Sequence, residues 1–142
     1  MAGHNGYSGT PLPRKLGIAA GARVAVLSCP EGFCEALGQL PADVELRTEA
    51  RGNFDVMLFF VTRQAELVRR FPVFERRLEP TGGLWIAWPK KTSGVASDLS
   101  FDAVQRVGLD CGLVDNKVAA IDETWSGLRF VVRRADRPGQ AK

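Results

Sequence analysis

The chain has 142 residues, of which 45% are apolar and 25% are charged, so its composition is that of one soluble globular domain with an ordinary core. The net charge of +3 comes from interspersed residues of both signs, which does not indicate the concentrated basic face of a nucleic-acid-binding module. One histidine and three scattered cysteines exclude histidine-based triads, multi-histidine metal sites and four-ligand zinc sites. We therefore predict no metal site.

The two ends of the chain differ from its middle. Residues 1–10 and 135–142 are polar and rich in turn-forming residues, which predicts flexible tails around a single domain over residues 11–134. No apolar run reaches the ~20 residues that span a bilayer. The first residues also lack the apolar centre of a signal peptide, so we predict a cytoplasmic protein.

The first half of the domain alternates short helices with apolar strands. Residues 11–18 suit a helical turn, and RVAVLS (23–28) is an apolar strand bounded by glycine and proline. A short helix is predicted over residues 31–40, and the alternation in VELRT (44–48) is typical of a strand near a sheet edge. FDVMLFFV (54–61) is almost wholly apolar, which favours a central parallel strand covered on both faces.

The next helix and strand are also strongly apolar. The helix carries one stripe formed by Leu67, Phe71, Phe74 and Leu78. Pro72 lies inside this pattern and cannot donate the intrahelical hydrogen bond, which predicts a kink or a restart. The strand GLWIAWP (83–89) follows, and its tryptophans, Trp85 and Trp88, are three residues apart. They should therefore point to opposite faces, both as packing residues.

The last third of the chain predicts one helix and two adjacent strands. Ser100 can cap a helix that Gly112 ends. The segments NKVAAID (116–122) and GLRFVVRR (127–134) flank ETWSG, a pattern typical of two strands joined by a short turn region. Asp115, Asn116 and Lys117 are more simply explained as a turn. The whole pattern predicts a three-layer α/β fold, with a mostly parallel sheet of about six strands and a C-terminal antiparallel hairpin.

The succession LGIAAGARVAVLS, FDVMLFFVTRQAEL and RRLEPTGGLWIAW resembles the Rossmann-like class I methyltransferase fold. The resemblance implies the sheet order 2-1-3-4-6-5, with one strand and its helices missing between Thr48 and Asn53. The loop after strand one departs from the glycine-rich cofactor loop of that family, because SCPEGF has one glycine and Pro30 lacks an N–H group. Glu49 matches the acid that binds ribose hydroxyls in the family, or it is a solvated loop residue.

Whole motifs of the chain are similar to those of an uncharacterised bacterial family, a domain of unknown function. They are GYSGTPL (6–12), PEGF (30–33), WPKKTSG (88–94), DNKV (115–118) and ETWSGLRFVVR (123–133). This resemblance implies no activity and no catalytic residues.

Polar residues are predicted to gather at the carboxyl edge of the sheet, where open α/β sheets bind ligands. Two ammonium groups, hydroxyl groups and exposed turn amides in this region can hold an anion, and an indole ring can form an apolar wall. The predicted site consists of Lys90, Lys91, Ser93, Gly94, Trp125 and Ser126. The alternative is that Lys90 and Lys91 pair with Asp122 and Glu123 and only tie two loops together.

No catalytic base, nucleophile or intact cofactor motif emerges from the sequence. Cys29 follows strand one near a helix N-terminus, where a thiolate is favoured, but no resolving cysteine is evident and a small structural residue is the simpler interpretation. We therefore predict a non-catalytic binding or regulatory module, with a site for an anionic small molecule and no cofactor. The alternatives are an S-adenosylmethionine-dependent methyltransferase with a degenerate cofactor loop and a nucleic-acid-associated protein.

Overall fold

The computed structural model describes residues 10–137, and the predicted tails lie outside this range apart from residues 10 and 135–137. No helix in this range is long and apolar enough to cross a membrane. The elements in chain order are α1 (Leu12–Leu16), β1 (Arg23–Leu27), α2 (Phe33–Leu37), β2 (Glu45–Arg47), β3 (Phe54–Phe60), α3 (Gln64–Glu75), β4 (Leu78–Pro89), α4 (Phe101–Asp110), β5 (Leu113–Ala120) and β6 (Trp125–Val132), with 3-10 turns at Lys91–Ser93 and Arg134–Asp136.

The strands form one six-stranded sheet, and the predicted order β2-β1-β3-β4-β6-β5 is confirmed. The pairs β2–β1, β1–β3 and β3–β4 are parallel. Strand β6 lies antiparallel between β4 and β5, which gives the predicted C-terminal hairpin. The carboxyl ends of β1 to β4 therefore meet at one edge of the sheet, together with the turn that leads into β6.

Helices cover both faces of the sheet, as predicted. Phe33 and Leu37 of α2 pack with α1 on one face, and Leu67 and Phe71 of α3 pack with α4 on the other. The helix after β1 and the helix after β3 therefore lie on opposite faces of the sheet. Such a reversal opens a crevice between the carboxyl ends of the two strands, which is where this class of sheet binds ligands.

The two tryptophans of β4 lie on opposite faces and are both buried, as predicted. The indole N–H of Trp85 donates a hydrogen bond to the carbonyl of Leu16 at 3.1 Å, which satisfies its polar atom in the core. Trp88 belongs to the cluster under α3 and α4. Packing in the core accounts for Trp85. Trp88 also packs in the core, but it lies closer to the carboxyl edge of the sheet.

Helix α3 continues through Pro72 and ends at Glu75, so the predicted restart does not occur. The Arg76 N–H donates to the Pro72 carbonyl at 3.2 Å, which closes the last turn. Leu78 was expected on the helical stripe, but it begins β4 and pairs with Phe54. Strand β4 therefore starts five residues earlier than predicted, because pairing with β3 outweighs the local helical pattern.

Residues 115–117 lie inside β5, so the predicted turn at this position is wrong. The ladder between β5 and β6 shifts register between Asp115 and Lys117, which is typical of a bulge. The amide of Gln105 in α4 donates to the Asp115 carboxylate at 3.2 Å. Polar residues are tolerated here because β5 is an edge strand.

Candidate functional site

The chain turns sharply after β1, at residues 28–32, which we call the β1 loop. Ser28 has a φ of 57° and Gly32 a φ of 83°, both in the left-handed region. This conformation is uncommon for a residue other than glycine, and strained residues of this kind concentrate at functional sites. A Cβ atom built on Gly32 would meet nothing within 4 Å, so the end of the loop faces open space.

The β1 loop brings two thiols together. The sulfur atoms of Cys29 and Cys34 are 3.6 Å apart, and the Cys29 thiol also donates to the Pro30 carbonyl at 3.4 Å. Burial, together with the hydrogen bond to Cys34, raises the pKa of the Cys29 thiol to about 11. The expectation that this position favours a thiolate is therefore wrong, and Cys34 is the nearby partner that the sequence did not reveal.

Glu49 follows the short strand β2, in the loop that leads directly into β3. Its side chain is 75% exposed, and its carboxylate lies 3.9 Å from the Nε atom of Arg51, which is 90% exposed. A pair this long and this exposed contributes little, so the carboxylate is available to a ligand. Ala50 packs against the core under α3 and α4, which fixes the loop to the sheet.

After β4, the chain forms a second loop, residues 90–100, which we call the β4 loop. The Ser93 hydroxyl donates to the Lys90 carbonyl at 2.7 Å and accepts from the Val95 N–H at 3.2 Å. Gly94 ends this turn with a φ of 82°. Ser93 and Gly94 therefore shape the loop, and both bonding functions of the Ser93 hydroxyl are occupied within the turn.

The far end of the β4 loop is tied to the end of β3. The Ser97 hydroxyl donates to the Thr62 carbonyl at 2.7 Å. The Asp98 carboxylate accepts from the Gln64 N–H at 2.7 Å and so caps α3 from another part of the chain. Sequence reasoning missed both ties, because partners 34 and 35 residues apart leave no local signal.

A cavity of about 490 Å³ lies between the β4 loop and the start of α4, and we call it the β4 cavity. The Trp88 and Phe101 rings form one wall, with their centroids 6.4 Å apart and edge to face. Of the 128 residues in the described range 10–137, none forms an ion pair with either lysine of the cavity. The side chains that define the cavity are Trp88, Lys90, Lys91, Phe101, Asp102 and Ser126.

The structure divides the predicted ligand site. Lys90, Lys91 and Ser126 line the β4 cavity, and Ser126 lies opposite Trp88 in the ladder. Trp125 packs on the other face of the sheet, with its ring 5.0 Å from that of Phe60. Neighbouring residues of a strand point to opposite faces, so Trp125 and Ser126 cannot line the same cavity wall. Trp88 takes the place expected for Trp125.

The alternative was that Lys90 and Lys91 pair with Asp122 and Glu123 in the β5–β6 turn. Within residues 10–137, neither lysine forms such an ion pair. The Asp122 carboxylate accepts from the N–H groups of Thr124 and Trp125, both at 2.8 Å, and closes its own turn. The two loops are joined instead by the Lys90 N–H, which donates to the Thr124 carbonyl at 2.8 Å. The backbone makes the tie, and both lysines line the β4 cavity.

A larger groove of about 740 Å³ lies at the amino edge of the sheet, between residues 11–19 and 39–42. Its walls are mainly proline and aliphatic side chains, with Arg14 the charged residue among those that line it. The strained β1 loop and the lysines lie at the opposite edge, whereas Glu49 lines a separate cavity of about 280 Å³ with Arg23, Arg47 and Arg51. We therefore place the candidate site at the carboxyl edge.

No family model matches the chain, and no curated protein matches its sequence. Solved structures do share its fold. Magnesium protoporphyrin IX methyltransferase from Synechocystis PCC 6803 with bound SAM matches with a TM-score of 0.60 and 12% identity, over 80% of this chain and 71% of that one. A SAM-dependent methyltransferase from Aquifex aeolicus matches with a TM-score of 0.59 and 13% identity, over 82% and 85%. Ribosomal protein L11 methylase from Lactobacillus delbrueckii subsp. bulgaricus matches with a TM-score of 0.56 and 12% identity, over 86% and 74%. The domain has a methyltransferase-like Rossmann fold.

These similarities correct two predictions. The sequence led us to expect a non-catalytic binding module and no cofactor. The three structures named above are of methyltransferases, and magnesium protoporphyrin IX methyltransferase was solved both with SAM and with SAH. The methyltransferase alternative is therefore better supported than the binding module, and S-adenosylmethionine is the cofactor to test against the residues of this site.

Two features near the crevice suit S-adenosylmethionine, and one does not. The exposed carboxylate of Glu49, in the loop after β2, can accept hydrogen bonds from a pair of ribose hydroxyls. The open space at Gly32 allows a ligand to approach the backbone. Pro30 removes one amide donor from the β1 loop, so the cradle is weaker than a glycine-rich one.

Proposed function

We propose that the domain binds S-adenosylmethionine in the crevice between β1 and β3 and transfers its methyl group to a small anionic acceptor. The observation that carries the proposal is the strained, open β1 loop at the point where the helices change faces. The shared fold of S-adenosylmethionine-dependent enzymes supports it. S-adenosylmethionine supplies a methyl group on a positively charged sulfur, which a nucleophile can attack.

In this proposal, Glu49 accepts hydrogen bonds from the ribose hydroxyls of the cofactor. Gly32 lets the cofactor lie close to the β1 loop, and the exposed Ser28 presents its hydroxyl at the same edge. The missing N–H at Pro30 weakens the contact with the loop.

The β4 cavity suits the methyl acceptor. It lies two inter-strand spacings from the β1 loop, about 10 Å across the sheet, so the two molecules can lie side by side. Lys90 and Lys91 can hold an anionic group, and the rings of Trp88 and Phe101 can pack on an aromatic or apolar body. A carboxylate oxygen is itself a nucleophile and needs no base, which suits a cavity whose lining has Asp102 as its one acidic residue. We infer an aromatic carboxylate as the acceptor class.

Two of the motifs that resemble those of an uncharacterised bacterial family lie in these regions. PEGF (30–33) lies at the β1 loop, and WPKKTSG (88–94) covers the end of β4 and the start of the β4 loop. We extend the proposal to proteins that carry both motifs. A cytoplasmic location stays a prediction.

Isothermal titration calorimetry with S-adenosylmethionine tests the proposed function. Glu49→Gln should weaken binding by about tenfold, because hydrogen bonds to a charged acceptor contribute about 1.5 kcal/mol or more. Glu79→Gln is the matched control, because Glu79 lies at the amino end of β4 and should leave affinity unchanged. If the unmodified protein gives neither heat nor a thermal shift at millimolar S-adenosylmethionine, the proposal fails.

A further inference from the structure

Cys29 and Cys34 form a pair of thiols for which methyl transfer has no use. Their sulfur atoms are 3.6 Å apart, and a disulfide bond is about 2.05 Å long, so an approach of about 1.5 Å joins them. Both are free cysteines, and Cys34 is exposed while Cys29 is half-buried. The pair thus combines a sulfur that solvent can reach with a second sulfur in contact behind it.

The surrounding backbone can make this approach. Helix α2 has five residues, and no side chain caps its N-terminus. Gly32 lies between the two cysteines and has open space on its Cβ side. Phe33 holds the start of α2 in the core, so the approach comes from the two cysteine side chains and from the open loop at Gly32.

We propose that Cys29 and Cys34 are a redox site that closes to a reversible disulfide when the protein meets a hydroperoxide. The Cys34 sulfur attacks a peroxide oxygen, so that an S–O bond forms and the O–O bond breaks. The products are a sulfenic acid and the alcohol of the hydroperoxide, which is water when the oxidant is hydrogen peroxide. The Cys29 sulfur then attacks the Cys34 sulfur. The S–S bond forms, the S–O bond breaks, and water leaves with the Cys29 proton. The two thiols lose two electrons, the peroxide gains them, and a thiol reductant reverses the change.

The environments of the two sulfur atoms assign their roles. Cys34 is exposed and meets the oxidant first. Burial raises the pKa of the Cys29 thiol to about 11, so Cys29 stays protonated at neutral pH and reacts only with the activated partner beside it. Cys111 follows α4 at the opposite edge of the sheet and packs against the α3/α4 core, so it serves as an internal control.

The test is a thiol count on the full chain before and after treatment with hydrogen peroxide. The reduced protein contains three thiols. After oxidation, we expect one remaining thiol, at Cys111, a mass lower by two hydrogen atoms and a peptide that links Cys29 to Cys34. Dithiothreitol should restore all three thiols.

Single variants separate the two steps. Cys29→Ser should stop at a Cys34 sulfenic acid that dimedone traps, and Cys34→Ser should keep both of its remaining thiols at the same peroxide dose. Cys111→Ser should form the disulfide as readily as the unmodified protein. The proposal is overturned if all three thiols survive, if Cys34 overoxidises without a bridge, or if the bridge involves Cys111 or a second chain. None of these readouts requires S-adenosylmethionine, so their outcome is independent of whether the protein transfers methyl groups.

Discussion

The two faces of the sheet differ in how much helix covers them. Helices α3 and α4 have twelve and ten residues, and the Ser100 hydroxyl caps α4, whereas α1 and α2 have five residues each and no side-chain cap. The loops differ in the same way. Hydrogen bonds from hydroxyl groups and to a carboxylate hold the β4 loop in place, whereas the β1 loop is open and strained. Stability is thus expected to reside under α3 and α4, and ligand chemistry at the lightly covered β1 loop.

The largest expected effect compares two buried phenylalanines, one under each face. Phe71 of α3 is fully buried with its ring 5.3 Å from that of Phe130, and Phe33 of α2 is nearly as buried, with its ring 4.8 Å from that of Phe60. Phe71→Ala should lower the free energy of unfolding by about 4 kcal/mol. Phe33→Ala should cost about half as much, because the five-residue α2 can collapse into the space. Urea denaturation measures both, and equal losses would contradict the division of stability between the faces.

The second effect concerns the lysines of the β4 cavity. Changing Lys90 and Lys91 together to alanine should weaken binding of phenylacetate, used as a probe, by at least about tenfold, because both ammonium groups are removed. The melting temperature should change by no more than about 2 °C, since the lysines form no ion pair with residues 10–137. Arg69→Ala together with Arg76→Ala is the matched charge control, because both arginines are exposed and the pair removes the same two charges. A large loss of stability would instead indicate a structural role for the lysines.

The central strands could be predicted because each is an apolar run with its own boundaries, and the resemblance to the methyltransferase fold implied their order. Prediction from the sequence failed where pairing between distant segments decides the outcome. Leu78 fits a helical stripe locally, but it pairs with Phe54 and so belongs to β4. Residues 115–117 have the composition of a turn, but they lie within the edge strand β5. These choices depend on partners 12 to 24 residues away that a local pattern does not contain.

The candidate site was predicted in part for the same reason. Lys90 and Lys91 directly follow a buried strand, so the topology places them at the carboxyl edge. Phe101 and Asp102 reach the cavity only because α4 packs back against β5 and β6, which no spacing indicates. The contact between Cys29 and Cys34 depends on the turn at Gly32, and a spacing of five residues in an ordinary helix would separate them.

A smaller effect is expected where the β4 loop caps α3. Asp98→Ala should remove the acceptor for the Gln64 N–H and lower the free energy of unfolding by about 1 kcal/mol. Asp98→Asn is the matched variant, because its amide oxygen can still accept this hydrogen bond and should retain most of the stability. Thermal or urea unfolding distinguishes the two. If both variants lose the same amount, the charge of Asp98 matters more than its cap, and the tie between the β4 loop and α3 is weaker than its 2.7 Å bond indicates.

The smallest effect addresses the departure of the β1 loop from a glycine-rich cradle. Pro30→Ala restores one backbone N–H without the added loop entropy of glycine, so S-adenosylmethionine should bind about threefold tighter, a gain of about 0.6 kcal/mol. Pro41→Ala changes a half-buried proline at the amino edge and should leave the affinity unchanged, which removes general effects of proline loss. Calorimetry measures both variants against the unmodified chain. Weaker binding by Pro30→Ala would mean that the fixed φ of proline preorganises the loop for its ligand, so that the strain at Ser28 and the rigidity at Pro30 act together in place of the missing glycines.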